Sequence, residues 1–177
     1  MNKIVPMILT LLLWSLRFLE AQAQSRPSEV THKVQTIFIY NFTKYIRWPD
    51  EYNTGNFTIG VLGDTQLNGE LTKMAATKTA NGRKIVVKSY KDVREIDKMC
   101  HILFIAAEKN DLLNAVLQKT TGTSTLVVTE KDGAARFGSL INFVSDKGKP
   151  GFEMNLSAFE RSRLKFDSKL KSAAIAI

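Results

Sequence analysis

Covalent catalysis needs a Ser, Thr or Cys held against a base. The sequence supplies two imidazoles, His32 and His101, and one thiol, Cys100. His32 falls early in a stretch of helical spacing and His101 opens an apolar run, so nothing local brings either to a nucleophile. No Gly-x-Ser-x-Gly elbow occurs. Two isolated histidines without an i, i+4 partner or a third donor nearby do not make a zinc site, and a lone cysteine excludes paired thiolate ligands. Cys100 reads as a buried structural thiol, because burial in a strand raises a thiol's pKa and blocks access to it. A hydrolase would have to act through Asp64 or His101, and no further residue supports that reading. The sequence therefore predicts no catalytic residue, no metal and no cofactor.

Phosphate chemistry fares no better. Dinucleotide binding needs three glycines after a first strand, so that the backbone can approach a pyrophosphate at a helix N-terminus. Gly60-Val61-Leu62-Gly63 has two, the first inside the strand, and no third follows in register. A phospho-receiver needs an Asp at the end of its central strand, where this chain has Ala106. With 25 Lys+Arg against 17 Asp+Glu the net charge is +8, but the basic residues are scattered without interleaved aromatics. That pattern suits solvated faces near an anionic membrane or wall polymer rather than nucleic acid.

The elements that would position these residues follow from periodicity. Val30, Val34, Ile37, Phe38, Tyr45, Ile46 and Trp48 fall near helical spacing, which predicts an amphipathic helix over Glu29–Trp48 stopped by Pro49. Six apolar runs predict strands at 57–62, 83–89, 101–106, 124–129, 140–144 and 152–154, the last antiparallel after the turn at 147–151. Helices are predicted near 66–76, capped by Asp64, at 110–118, capped by Asn110, at 156–161, capped by Asn155, and at 168–174. Leu164 and Phe166 alternate as in an extended stretch. Strands apolar on both faces, alternating with helices, predict an α/β three-layer sandwich. Its mostly parallel central sheet of about six strands would carry helices on both faces. Ligands in such sheets bind beyond the carboxyl ends of the strands, which here supply Gly63, Asp64, Ala106 and Thr129.

The first residues stand apart. Lys3 precedes a nearly continuous apolar run from Ile4 to Leu16, and Ala21-Gln22-Ala23 is a small-x-small cleavage pattern. The run is shorter than the ~20 residues that span a bilayer. Residues 1–23 therefore read as a cleaved signal peptide and 24–177 as a single exported domain. Removing Lys3, Arg17 and Glu20 lowers the net charge from +8 to +7.

Several motifs then occur in order. Tyr40-Asn41-Phe42-Thr43-Lys44-Tyr45-Ile46-Arg47-Trp48-Pro49 resembles the helix-ending fxxYxxWP signature of the YfiR family of bacterial exported proteins, the DUF4154 domain. Phe57–Asp64, Gly82-Arg83, Cys100–Ile105, Leu126–Thr129, Ile141–Val144, Phe152–Leu156 and Ser168–Leu170 continue the resemblance over about residues 30–174. The resemblance implies a periplasmic regulator without catalysis. Such a protein would bind the extracytoplasmic part of an inner-membrane signalling enzyme, a diguanylate cyclase or sensor kinase, and so control cyclic di-GMP and biofilm formation. It admits a homodimer and involves no nucleic acid. The family prototype carries redox-responsive disulfides, whereas this chain keeps only Cys100, so no switch can form within one chain.

For partner binding, the candidates are Tyr45 and Trp48 at the end of the first helix and Leu164, Phe166 and Leu170 near the C-terminus. The latter are flanked by Arg161, Arg163, Lys165 and Lys169, since aromatic and Arg anchors dominate interfaces. The other expectation is a periplasmic small-ligand binding or sensor protein that uses the cleft at Gly63, Asp64, Ala106 and Thr129.

Overall fold

The computed structural model describes residues 26–146 and 148–177, so the expected signal peptide lies outside the described residues. Helix α1 (Arg26–Tyr45) comes first, followed by a two-residue strand, β1 (Ile46–Arg47). Strand β2 (Phe57–Leu62) leads through α2 (Leu67–Thr77) and β3 (Thr79–Ala80) to β4 (Arg83–Tyr90). Next come β5 (Ile102–Ile105), α3 (Leu113–Lys119), β6 (Leu126–Thr129) and the hairpin β7 (Ile141–Asp146) and β8 (Lys149–Met154). The chain ends with α4 (Leu156–Arg161), β9 (Lys165–Phe166), α5 (Ser168–Ala173) and β10 (Ile175–Ala176).

The main sheet has eight strands in the order β10-β8-β7-β6-β5-β2-β4-β3. All neighbours are parallel except β7 with β8 and β3 with β4. All six strands expected from sequence are present and the mixed, mostly parallel sheet is as expected; the count of six is corrected to eight. The two additions, β3 and β10, are two residues long and close opposite edges of the sheet, too short to leave a periodic signal. A separate two-stranded ribbon pairs β1 with β9 antiparallel, Ile46 opposite Phe166 and Arg47 opposite Lys165.

Strand β5 is buried at all four positions and β6 likewise, the mark of a central parallel strand covered on both faces. On the face shared by Phe104, Phe143 and Phe152, α1 inserts two rings. Phe38 and Phe42 meet Phe152 edge-on at 5.2 and 5.3 Å, and Phe42 stacks on Phe143 at 6.2 Å. Edge-to-face pairs at such spacings add about 0.5–1.5 kcal/mol to the burial of the rings. On the other face Gly60 lets the chain close up. A Cβ there would lie 2.5 Å from Tyr90 Cε2 and 3.0 Å from Cys100 Sγ.

Three local expectations are corrected. Helix α1 ends at Tyr45 rather than Trp48. The next two residues pair with β9, and Asp167 N–H donates to the Tyr45 carbonyl at 2.8 Å. Asp64 does not cap α2; the Thr65 hydroxyl accepts from Leu67 N–H at 3.3 Å instead. Asn110 sits inside a 3-10 stretch (Ala107–Leu112) that precedes α3 and caps nothing. Asn155 does cap α4, accepting from Ala158 N–H at 2.9 Å, as its position predicts.

Candidate functional site

The two sets of candidate residues end in different environments. At the carboxyl ends of β2 and β5, Gly63 turns with φ +111°, a left-handed conformation that favours glycine. A side chain there would also collide with Glu108 Oε1 and the Ala106 methyl, at 2.5 and 2.9 Å. The exposed Glu108 reaches over this turn, its carboxylate accepting from Asp64 N–H at 2.9 Å. Ala106 and Thr129 have no solvent exposure. The Thr129 hydroxyl donates within a buried polar cluster, 2.8 Å from Asn142 Oδ1 and 2.9 Å from Ser139 Oγ. Asn142 in turn donates to Glu153 at 3.1 Å. Gly63 and Asp64 alone of the four line a depression of about 510 Å³, which they share with Asn68, Tyr90, Lys91 and Lys109.

The aromatic and C-terminal candidates divide differently. Trp48 is 7% exposed. Its indole N–H donates to the His101 carbonyl at 3.2 Å, and its ring meets Phe57 edge-on at 5.0 Å. Leu164 and Leu170 are buried as well. Tyr45 and Phe166 are half-buried, and Phe166 rests edge-on against Phe159 at 5.0 Å. The structure brings Tyr45 and Leu170 to one apolar groove of about 180 Å³ between α1 and α5, with Phe38, Asn41, Phe152 and Lys169 also on its walls. Next to it the ribbon turns Ile46 and Phe166 inward and leaves Arg47 and Lys165 exposed, directly opposite one another.

Sequence reasoning named Lys165 and Lys169 but missed Arg47 as their neighbour. The pairing of β1 with β9 joins segments far apart in the chain and leaves no local pattern. Glu108 was missed for the same reason. An out-in alternation at Lys165-Phe166 mirrored by in-out at Ile46-Arg47 is the one signal that could have pointed to the ribbon.

The remaining reactive groups are committed to structure. Burial pushes the Cys100 thiol up to about 12, and its Sγ donates to the Ile102 carbonyl at 3.1 Å. His101 is 2% exposed and stacks on Phe57 at 4.3 Å. Its Nδ1 accepts from Thr58 N–H at 3.1 Å, which leaves the proton on Nε2 to donate to the Tyr52 carbonyl at 2.9 Å. Burial first, and the nearby Arg83 guanidinium as well, hold this imidazole below its ordinary pKa. No group of three or more His, Cys, Asp or Glu side chains able to hold a metal exists among the described residues. None of the described helices is long and apolar enough to cross a membrane.

With this geometry in hand, comparison with protein families is decisive. The model of the DUF4154 family, described as YfiR/HmsC-like, matches residues 32–174. The chain belongs to the YfiR/HmsC-like family. A search of curated proteins finds no match. The family match begins within α1 and ends just past α5, so it takes in both the groove and the basic ribbon.

Proposed function

We propose that this YfiR/HmsC-like protein is a non-enzymatic, exported regulator. It binds the extracytoplasmic part of an inner-membrane diguanylate cyclase and holds that enzyme in its inactive conformation, lowering cyclic di-GMP and biofilm formation. The observation that carries this reading is the family match over residues 32–174. The commitment of Cys100 and His101 to the core is consistent with it. A regulator of this kind works only through differential affinity. To move a two-state enzyme from 99:1 active to 99:1 inactive, it must bind the inactive form about 10⁴-fold more tightly. Such a ratio calls for an extended protein surface with a few strong anchors rather than a single ion pair.

The test is deletion of the gene with measurement of cyclic di-GMP, followed by co-purification of the tagged mature protein with membrane proteins after crosslinking. The reading predicts raised cyclic di-GMP and recovery of a cyclase. Unchanged cyclic di-GMP together with no membrane partner refutes it. A second reading, a small-ligand sensor, draws on the depression at Gly63 and Asp64, whose volume of about 510 Å³ falls in the range of small-molecule sites. It predicts a thermal shift with an anionic metabolite that Lys91→Ala abolishes. A flat screen removes it.

A further inference from the structure

The β1–β9 ribbon carries a local conflict that the fold does not resolve. Arg47 and Lys165 are cross-strand partners, both exposed, and like charges placed directly opposite destabilise a strand pair. Neither takes part in an ion pair among the described residues. Of the other cations nearby, Arg163 pairs with Glu51 and Lys44 lies 4.2 Å above the Tyr40 ring, whereas Lys169 takes part in no ion pair among the described residues. The neighbouring acid is Asp167, whose Oδ1 is occupied in capping α5, accepting from Lys169 N–H at 2.8 Å.

The groove between α1 and α5 continues from the ribbon. Tyr45, on its wall, immediately precedes β1, and Lys169, also on its wall, lies in the first turn of α5 just after β9. At about 180 Å³ the groove is smaller than the roughly 300–1,000 Å³ of small-molecule pockets. It suits one apolar side chain of a larger partner.

We propose that this surface docks an acidic, amphipathic segment of a protein partner. One apolar side chain sits in the groove between α1 and α5, and flanking carboxylates pair with Arg47, Lys165 and Lys169. Bidentate carboxylate pairing is the geometry a guanidinium favours, and it would relieve the repulsion with Lys165. A concave apolar bed beside the charges favours a protein segment over a flat headgroup layer. The inference rests on the proposed regulatory reading and supplies the surface through which it would act.

The test places a photo-crosslinking benzophenone residue at Tyr45 or Lys169 in the full chain, expressed in its own host. A third version carries it at exposed Lys73 on α2 as control. The proposal predicts groove-specific adducts to an extracytoplasmic segment of a membrane protein, rich in carboxylates around an apolar residue. Their yield should fall about tenfold when Arg47→Glu and Lys165→Glu are combined, with an unchanged urea midpoint verifying the fold. Absence of adducts, equal adducts from Lys73, a linked segment without carboxylates, or indifference to charge reversal each overturns it. Binding to phosphatidylglycerol vesicles that the same reversal abolishes, with lipid adducts in place of protein ones, assigns the patch to the membrane instead. Cyclic di-GMP separates failure of the surface from failure of the regulatory reading. If deletion raises it and the doubly reversed protein restores it fully, the surface is wrong and the regulatory reading stands. If deletion changes nothing, the regulatory reading itself fails.

Discussion

Lowering the pH from about 7.5 to about 5.5 should destabilise the protein through one residue, His101. In the fold its Nδ1 must accept from Thr58 N–H, at 3.1 Å, so the ring must be neutral there. Protonation would set one N–H against another at that contact. It would also add a cation whose Nε2 lies 3.4 Å from Arg83 Nη1. The folded pKa is therefore depressed below the ordinary histidine value, with burial the principal cause. A depressed folded pKa means that the unfolded chain binds the proton first as pH falls. The stabilisation is complete above about 6.5 and is lost as pH drops below it towards the folded pKa. One proton changes stability by at most about 1.4 kcal/mol per pH unit. One unit below the unfolded value the loss can thus reach about 1.4 kcal/mol, a large share of a marginal stability. Native carboxylates contribute little in this window because their unfolded pKa values lie near 4. Urea titrations of the wild type and of His101→Gln, at several pH values and with unchanged m, measure the effect. The variant should be less stable at pH 7.5, by about 1–3 kcal/mol, because Gln loses the stacking on Phe57 and one of two buried hydrogen bonds. It should also show a flattened slope between pH 7.5 and 5.5. A wild type without slope in this range, or a variant that keeps it in full, refutes the assignment.

Three further outcomes follow from packing and charge. Gly60→Ala should cost about 1–3 kcal/mol, because its methyl would lie 2.5 Å from the buried Tyr90 ring. Gly69→Ala, in open space within α2, should instead gain about 0.5–1 kcal/mol; urea midpoints compare the two. Cys100 should resist thiol reagents until the protein unfolds, so its labelling rate should track global unfolding across urea concentrations, and fast labelling of native protein would contradict its burial. Arg47→Glu alone converts a repulsive cross-strand pair into an attractive one and should stabilise the fold by about 0.5 kcal/mol while weakening partner capture, a combination that calorimetry and crosslinking measure together.

The central strands of the main sheet were legible in the sequence because a parallel strand buried on both faces must be written as an uninterrupted apolar run. Cys100–Ile105 and Leu126–Thr129 are such runs, and both became central strands. Capping was half legible. Asn155 acts locally and was read correctly, whereas the Asp64 backbone N–H is held by Glu108, a residue brought in from the far side of a strand crossover. Trp48-Pro49 correctly marked the end of a helix, but not that the helix would stop three residues earlier so that Ile46 and Arg47 could pair with β9. The candidate surface was the least legible part. Tyr45 belongs to it at the end of α1, Arg47 and Lys165 through the ribbon, and Trp48 leaves it because its indole N–H finds the His101 carbonyl across the core. Such choices depend on contacts between distant segments, which no local periodicity encodes.

The proposed function has this protein bind and silence a membrane enzyme. It is tested most directly in membranes carrying the cyclase recovered by crosslinking, with conversion of GTP to cyclic di-GMP followed while purified mature protein is added. Saturable inhibition is expected, weakening when Arg47 and Lys165 are reversed in charge. Full cyclase activity at saturating protein, or turnover of a substrate by the purified protein alone, would contradict it.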